Sequence, residues 1–357
     1  MLPYVLRRAG VAVCLLFVLS LITFFMYFEI PANAAGFLVD LQHSTPAQIA
    51  AADHVLGVDR PVYEQYGKFV WRALHSDFGI SWSTIRFSGP GSVSGLPVGR
   101  LVWHAAKVTG SLVVGGFVLL LAIALPLGAF VATRPRGLVD RLTLGLSLAA
   151  ISTHPLIVGL LLQLFLGNRW HVAPASGYCQ FTAPSAAAKA EAERFGSTLC
   201  GGPLEWAGHL ALPWITFALF FVALYLRMMR ARMIEVLEEP YVRTARAKGA
   251  SEAAVVRRHA LRNAIGPIVT MVGMDAGTAI GIALYVETVF GLPGLGRTTI
   301  VALQGFEGFD LPVIVGVVLV TAVAIIAFNL AVDLVLFAID PTIARPGRRT
   351  ASRAGAA

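Results

Sequence analysis

Between residues 241 and 263 the chain reads YVRTARAKGASEAAVVRRHALRN. Six basic residues (Arg243, Arg246, Lys248, Arg257, Arg258 and Arg262) stand there against one acid, Glu252. Such a cluster attracts anionic surfaces and offers a partner something to grip. Elsewhere the residue patterns that carry chemistry are missing. No G-x-x-x-x-G-K-[ST] phosphate loop occurs, so the chain is not expected to bind ATP itself. GLPGLG at 291–296 has the glycines of a phosphate turn, but it follows an apolar run and reads as a plain turn. There is no H-E-x-x-H, no histidine pair with metal-site spacing and no G-x-S-x-G elbow. Asp275 and Asp333 are the only acids well inside apolar runs, and nothing around them suggests a protease dyad. The expectation is therefore no catalytic centre, no metal site and no cofactor resident in this chain.

The elements that must carry the basic stretch follow from composition. Of 357 residues, 57% are hydrophobic and 13% charged, and the mean hydropathy is +0.73. That is a chain whose solvent is partly lipid. The net charge of +8 does not point to nucleic acid, because the basic residues flank apolar runs. Six such runs have spanning length: 9–30, 106–132, 141–166, 208–228, 265–288 and 312–337. The first reads as a retained helix, although ANA at 32–34 has the look of a cleavage site. Arg7 and Arg8, then Arg134, Arg136 and Arg141, then the basic stretch, then Arg345, Arg348, Arg349 and Arg353 all fall on one side of six crossings. That side is expected to be cytoplasmic, with both termini on it.

The expected fold is thus an all-α membrane protein of six transmembrane helices, with an extended extracytoplasmic segment after the first. Its divisions are an N-terminal helix (1–30), the external segment (31–105), a transmembrane core (106–337) and a tail (338–357). The core contains an external loop at 167–207 and a cytoplasmic loop at 231–264. In the external segment Val62, Tyr66, Phe69, Val70, Ala73 and Leu74 recur at helical spacing, as a helix lying on the bundle or as a docking surface. Cys179 and Cys200 share the second external loop and are candidates for a disulfide, worth on the order of 3 kcal/mol through loop closure.

Asp275 lies about 15 Å into the fifth run at 1.5 Å per residue. A carboxylate at that depth either lines a wet path, or is neutralised by a packing partner or protonated. Gly273, Gly277 and Gly281, four apart, are expected to share one face and pack tightly against another helix, within the chain or of a second chain. Glu287, at the outer end of that run, reads as solvated. Asp333 reads as an anchor towards the arginine-rich side.

The basic stretch also has a shape. Pro240 suits a helix start, Gly249 a stop with positive φ, and Ser251 and Glu252 a second start. Two short helices and a turn would make a rigid knob. The stretch resembles the coupling loop of ABC-importer permeases in the dipeptide and oligopeptide branch. Gly249 matches the glycine of the general motif, and Arg243, Thr244 and Ala245 hold its Glu-Ala-Ala positions. His259 and Arg262 stand where Ile and Pro would be. LGVDRPVYEQYGKFVWRALHSDFGIS (56–81), VAPASGY (172–178), ETVFGLPGLGR (287–297) and DLVLFAIDPTIAR (333–345) follow the same branch in order. The loop between Tyr178 and Leu204 departs from it.

The resemblance implies a transport subunit that moves peptide by alternating access. It would couple through Arg243, Thr244, Ala245, Arg246, Ala247, Lys248 and Gly249 to two ATPase domains that hold ATP and magnesium. A second, similar permease and an external substrate-binding protein complete the implied partners, with membrane lipid around them. Nickel or glutathione importers of the same pattern, and a proton-coupled transporter using Asp275, remain as alternatives.

Overall fold

The computed structural model describes residues 2–29, 61–84, 86–89, 92–135, 153–181, 196–304 and 309–339, with Gly137, Leu138, Asp140, Arg141, Thr143 and Gly145. Residues 30–60, Arg136, 182–195 and the tail arginines lie outside the described residues, and with them the expectations placed there.

Helix α1 (Leu2–Glu29) lies against the last helix and against α2 (Val62–Leu74). The contact with α2 is aromatic: Phe24 is buried and its ring centre is 5.3 Å from that of Tyr66. Of the apolar positions expected on α2, Tyr66, Phe69, Val70 and Ala73 are half-buried, while Val62 and Leu74 are exposed. A short hairpin, β1 (Arg86–Gly89) and β2 (Ser92–Ser94), precedes α3 (Val98–Thr133). After α4 (Pro155–Leu162) the chain continues as a π-helical stretch, Gln163–Arg169. Two parallel strand fragments, β3 (Cys179–Gln180) and β4 (Thr198–Leu199), lead into α5 (Pro203–Leu237). Then come α6 (Pro240–Ala247), α7 (Glu252–Ala254), a second π stretch (Val255–Ala260), α8 (Leu261–Met274), α9 (Ala276–Phe290), α10 (Leu295–Leu303) and α11 (Leu311–Ile339).

Among the described residues, α3, α5 and α11 are each long and apolar enough to cross a membrane. The pair Glu252–Met274 and Ala276–Phe290 adds a fourth span if counted together, and shorter apolar helices occupy Gly10–Phe25 and Pro155–Arg169. These six pieces fall on the six runs. The difference lies in the third and fifth, which the sequence presents as continuous helices and the structure breaks.

The core is built on the packing of α3 against α5. Gly115 and Gly116 admit the rings of Trp214 and Phe217, and a Cβ at Gly128 would sit 2.8 Å from Cβ of Met229. Trp214 Nε1 donates to the Ser111 carbonyl at 3.0 Å, so its one polar atom is satisfied inside the bundle. Phe117 then stacks between Phe217, Phe221 and Phe328, with ring centres 5.4, 5.8 and 5.6 Å away.

The glycines that matter for close approach are therefore on α3. Within this chain Gly273, Gly277 and Gly281 do not form one face, because a bend at Asp275 puts Gly273 on one helix and the other two on the next. Only Gly273 meets a neighbour, with its Cβ position 3.1 Å from Val332 Cγ1. Gly277 and Gly281 face open space.

Gly116→Val would drive two methyl groups into the fully buried ring of Phe217, overpacking a dense core. The expected loss is about 1–3 kcal/mol, read as a lower thermal unfolding midpoint of the detergent-solubilised protein. Gly281→Ala, in open space inside α9, should not lower the midpoint and should raise it slightly through helix propensity.

Candidate functional site

Glu239 is extended (φ −64°, ψ 145°) and Pro240 follows in the first turn of α6, where its missing N–H costs nothing. Val242 is fully buried, and α6 lies on the π stretch that carries buried Val255 and Ala260. The opposite face leaves Arg243, Thr244, Ala247 and Lys248 exposed; Arg246 is also exposed, and Ala245 is half-buried.

The stop is built from backbone bonds. Gly249 N–H donates to the Arg246 carbonyl at 2.9 Å and Ala250 N–H to the Ala245 carbonyl at 3.2 Å. This is the Schellman pair of bonds, and it requires the left-handed residue that Gly249 supplies at φ +82°. No heavy atom lies within 4 Å of a Cβ built there, so backbone conformation and not space selects glycine.

Across the turn Arg246 grips Glu252 with two bonds, Nη2 to Oε1 at 2.6 Å and Nε to Oε2 at 3.1 Å. That hydrogen bonding holds the Glu252 carboxyl below its ordinary value. Asn263 Nδ2 donates to Tyr241 Oη at 2.7 Å and ties α6 to α8. The second half of the knob differs from the expectation. It is not a separate short helix but runs from α7 through the π stretch directly into α8. Its apolar residues Val255 and Ala260 are held by the bundle, so the chain has no reason to turn again.

Asp275 sits at the junction of α8 and α9, which are bent by 61°. Tyr225, itself buried, donates its hydroxyl to Asp275 Oδ2 at 2.8 Å. The exposed positions of this broken span are mostly polar or small (Arg262, Asn263, Thr270, Gly277, Thr278, Gly281 and Thr288), with Met274 and Tyr285 also exposed. The exposed face of α3 is by contrast apolar, with Val114, Val118, Ile123, Leu127 and Phe130. A lipid-facing surface takes the second composition; the first suits water or protein.

At the other end of the bundle two carboxylates fix the connections. Glu287, expected to be solvated, is completely buried. It accepts from Thr109 Oγ1 at 2.5 Å and from the backbone N–H groups of Gly296 and Arg297 at 2.8 and 3.1 Å, serving the first turn of α10. A Cβ at Gly294 would collide with this carboxyl, and one at Gly296 would lie 2.6 Å from Leu284 Cα. The GLPGLG glycines are thus the sequence signal for the buried acid. Asp310, only 3% exposed, accepts from Ser81 Oγ, Ser83 Oγ, Ser83 N and Trp82 N at 2.6–3.2 Å. It pins the segment after α2 to the start of α11. Cys179 and Cys200 are joined by a disulfide with Cα atoms 5.1 Å apart at the same end.

Fold and site together define a helical, multi-pass membrane protein with a braced helix-and-turn at one end and a broken, polar-faced span beside it. Residues 124–345 match the family model of the binding-protein-dependent transport system inner membrane component, and residues 1–80 match the N-terminal model of the same kind of component. The chain belongs to this family of transport-system membrane components. It is 32% identical over 350 residues to the dipeptide transport system permease protein DppB of Escherichia coli (strain K12), covering 96% of this chain and 99% of that one. A putative peptide permease protein of Brucella suis biovar 1 (strain 1330) is 32% identical over 348 residues, with 96% and 99% covered. A chain of the MetNI methionine ABC transporter in an inward-facing conformation gives a TM-score of 0.48 at 19% identity, covering 67% of this chain and 96% of that chain.

The Arg246–Glu252 brace has a defined pH dependence. Because the folded carboxyl titrates below its unfolded value, the brace is complete at neutral pH and is lost as pH falls through that lowered value. A nitroxide label at Ala247 should gain mobility on acidification. Glu252→Gln should show the mobile spectrum already at neutral pH. Since the pair is exposed, global stability should barely change.

Proposed function

We propose that this chain is a transmembrane permease subunit of an ATP-driven peptide importer. The observation that carries the reading is the α6 unit: a short helix on a bundle-held base, closed by a left-handed glycine, offering Arg243, Thr244, Ala247 and Lys248 to a partner. A solvated basic loop held near lipid needs neither the Schellman closure nor the brace. In this reading α6 seats in a cleft of an ATPase domain, and ATP and magnesium reside there and not on this chain.

The 61° break at Asp275 and the polar face along α8 and α9 support a path that runs between this chain and a second, similar permease. Asp275 takes part in that path through its bond to Tyr225. An external substrate-binding protein delivers peptide to the disulfide-bearing end. The basic loop and both termini are cytoplasmic, with the divisions 1–30, 31–105, 106–337 and 338–357. The peptide assignment over nickel or glutathione follows the named relatives, which are dipeptide and peptide permeases. The chain performs no chemistry; work enters through its partners.

The test is uptake of a dipeptide into vesicles holding the full transporter. Gly249→Pro forces φ to about −65° where +82° is needed and removes the N–H bonded to Arg246. Uptake should fall to background while the protein stays in the membrane. Gly249→Ala, strained by about 1–2 kcal/mol at positive φ, should retain partial uptake. Normal uptake by the proline variant would refute the coupling role. Uptake that survived ATP depletion but collapsed with the proton gradient would favour a secondary transporter.

A further inference from the structure

A cavity of about 870 Å³ opens between the braced helix and the broken span. That is the size of a small-ligand site. Its walls divide by chemistry. One part is cationic or hydrogen-bonding: Arg258, Arg262, His259, Asn263 and Tyr241. The other part is apolar and compliant, with Met228, Met271, Met274, Pro267 and Leu336. No acidic residue lines it.

The two arginines are not committed elsewhere. Arg246 is held by Glu252, Arg230 by Asp140 and Arg232 by Glu235, whereas Arg258 and Arg262 enter no ion pair among the described residues. The hydroxyl of Tyr241 already accepts from Asn263, so its own proton is left to donate to something else. The polar side of the cavity therefore holds several donors and a positive potential with nothing to receive them. The apolar side asks for a hydrocarbon body. A membrane lipid would satisfy both demands, but the exposed positions of α8 and α9 that continue from the cavity are mostly polar or small, Met274 and Tyr285 excepted, whereas the exposed face of α3 is apolar. That continuity favours a solute arriving along a wet path.

We propose that this cavity is a binding site for the free carboxylate end of a short peptide with apolar side chains, as it leaves the path on the basic-loop side. Arg258 and Arg262 receive the carboxylate, and the three methionines accommodate side chains of varied shape. The proposal rests on the peptide-importer reading and adds to it a site of chemical discrimination within the permease itself. Since Tyr241 belongs to α6 and Arg262 to α8, an occupied site bridges the coupling helix and the broken span.

The test uses the permease–ATPase assembly in lipid nanodiscs without the binding protein. Equilibrium binding of radiolabelled alanyl-phenylalanine is compared with that of its C-terminal amide. The free acid should bind about tenfold more tightly, the scale of a lost charge-assisted hydrogen bond. R258Q/R262Q should erase the preference and leave the amide unchanged, while R258K/R262K should keep most of it. Equal binding of acid and amide, no binding of either, or a preference untouched by the glutamine variant would each overturn the proposal. So would loss of the acid's binding when phosphatidylglycerol replaces phosphatidylcholine in the nanodiscs, with R258Q/R262Q abolishing that lipid effect, which would assign the cavity to lipid. Uptake into vesicles with the binding protein separates the two claims. Acid preference without uptake would defeat the importer reading alone, and uptake without acid preference would defeat this site alone.

Discussion

Hydrocarbon offers no water to a broken backbone, so a helix can be interrupted within a membrane only where protein supplies the missing partners. Three irregularities among the described residues carry a specific polar side-chain contact. Where α4 widens into its π stretch, Gln163 Nε2 donates to the carbonyls of Ala175 and Val289 at 3.0 and 2.9 Å. Where the chain turns after α9, Glu287 receives the N–H groups of the next helix. Where α8 and α9 bend apart, the Tyr225 hydroxyl meets Asp275.

This constraint also explains what could be read from the sequence. The all-α membrane character and the long apolar spans were legible because transfer into hydrocarbon depends on composition over about twenty residues. Pro240 and Gly249 were legible because each has a conformational preference that acts locally. Glu287 was not, because a carboxylate at the end of an apolar run looks solvated until the fold brings Thr109 and the start of α10 around it. The bend at Asp275 carries no proline or glycine at the joint and left only an acid as its trace. The glycine pattern at 273, 277 and 281 gives no single packing face within this chain for a related reason: spacing on a helix assumes the helix continues. Gly115, Gly116 and Gly128, which do admit neighbours, gain their meaning only from the large side chains of α5 opposite them.

The two ends of the bundle are held by different physics. At the disulfide-bearing end the connections are covalent or buried, through Cys179–Cys200, Glu287 and Asp310. At the basic-loop end the turn itself is solvated, closed by an exposed ion pair and backbone bonds, while its base is held by buried Val242 and by the pair of Arg230 with buried Asp140. Buried carboxylate contacts are costly to open and favour one arrangement, whereas exposed pairs are exchanged cheaply. A surface that must engage and release a partner belongs to the second kind.

Helix α5 joins those two ends without interruption over 35 residues, from the residue pair after Cys200 to the threshold of α6. At 1.5 Å per residue it is about 52 Å long, and a tilt of about 5° around its first turn carries its last turn through about 4–5 Å. The bundle therefore has a gear ratio written into its length. Angles that are small beside Cys200 become strokes of side-chain size beside Pro240, and the stroke is set by how firmly the far end is clamped.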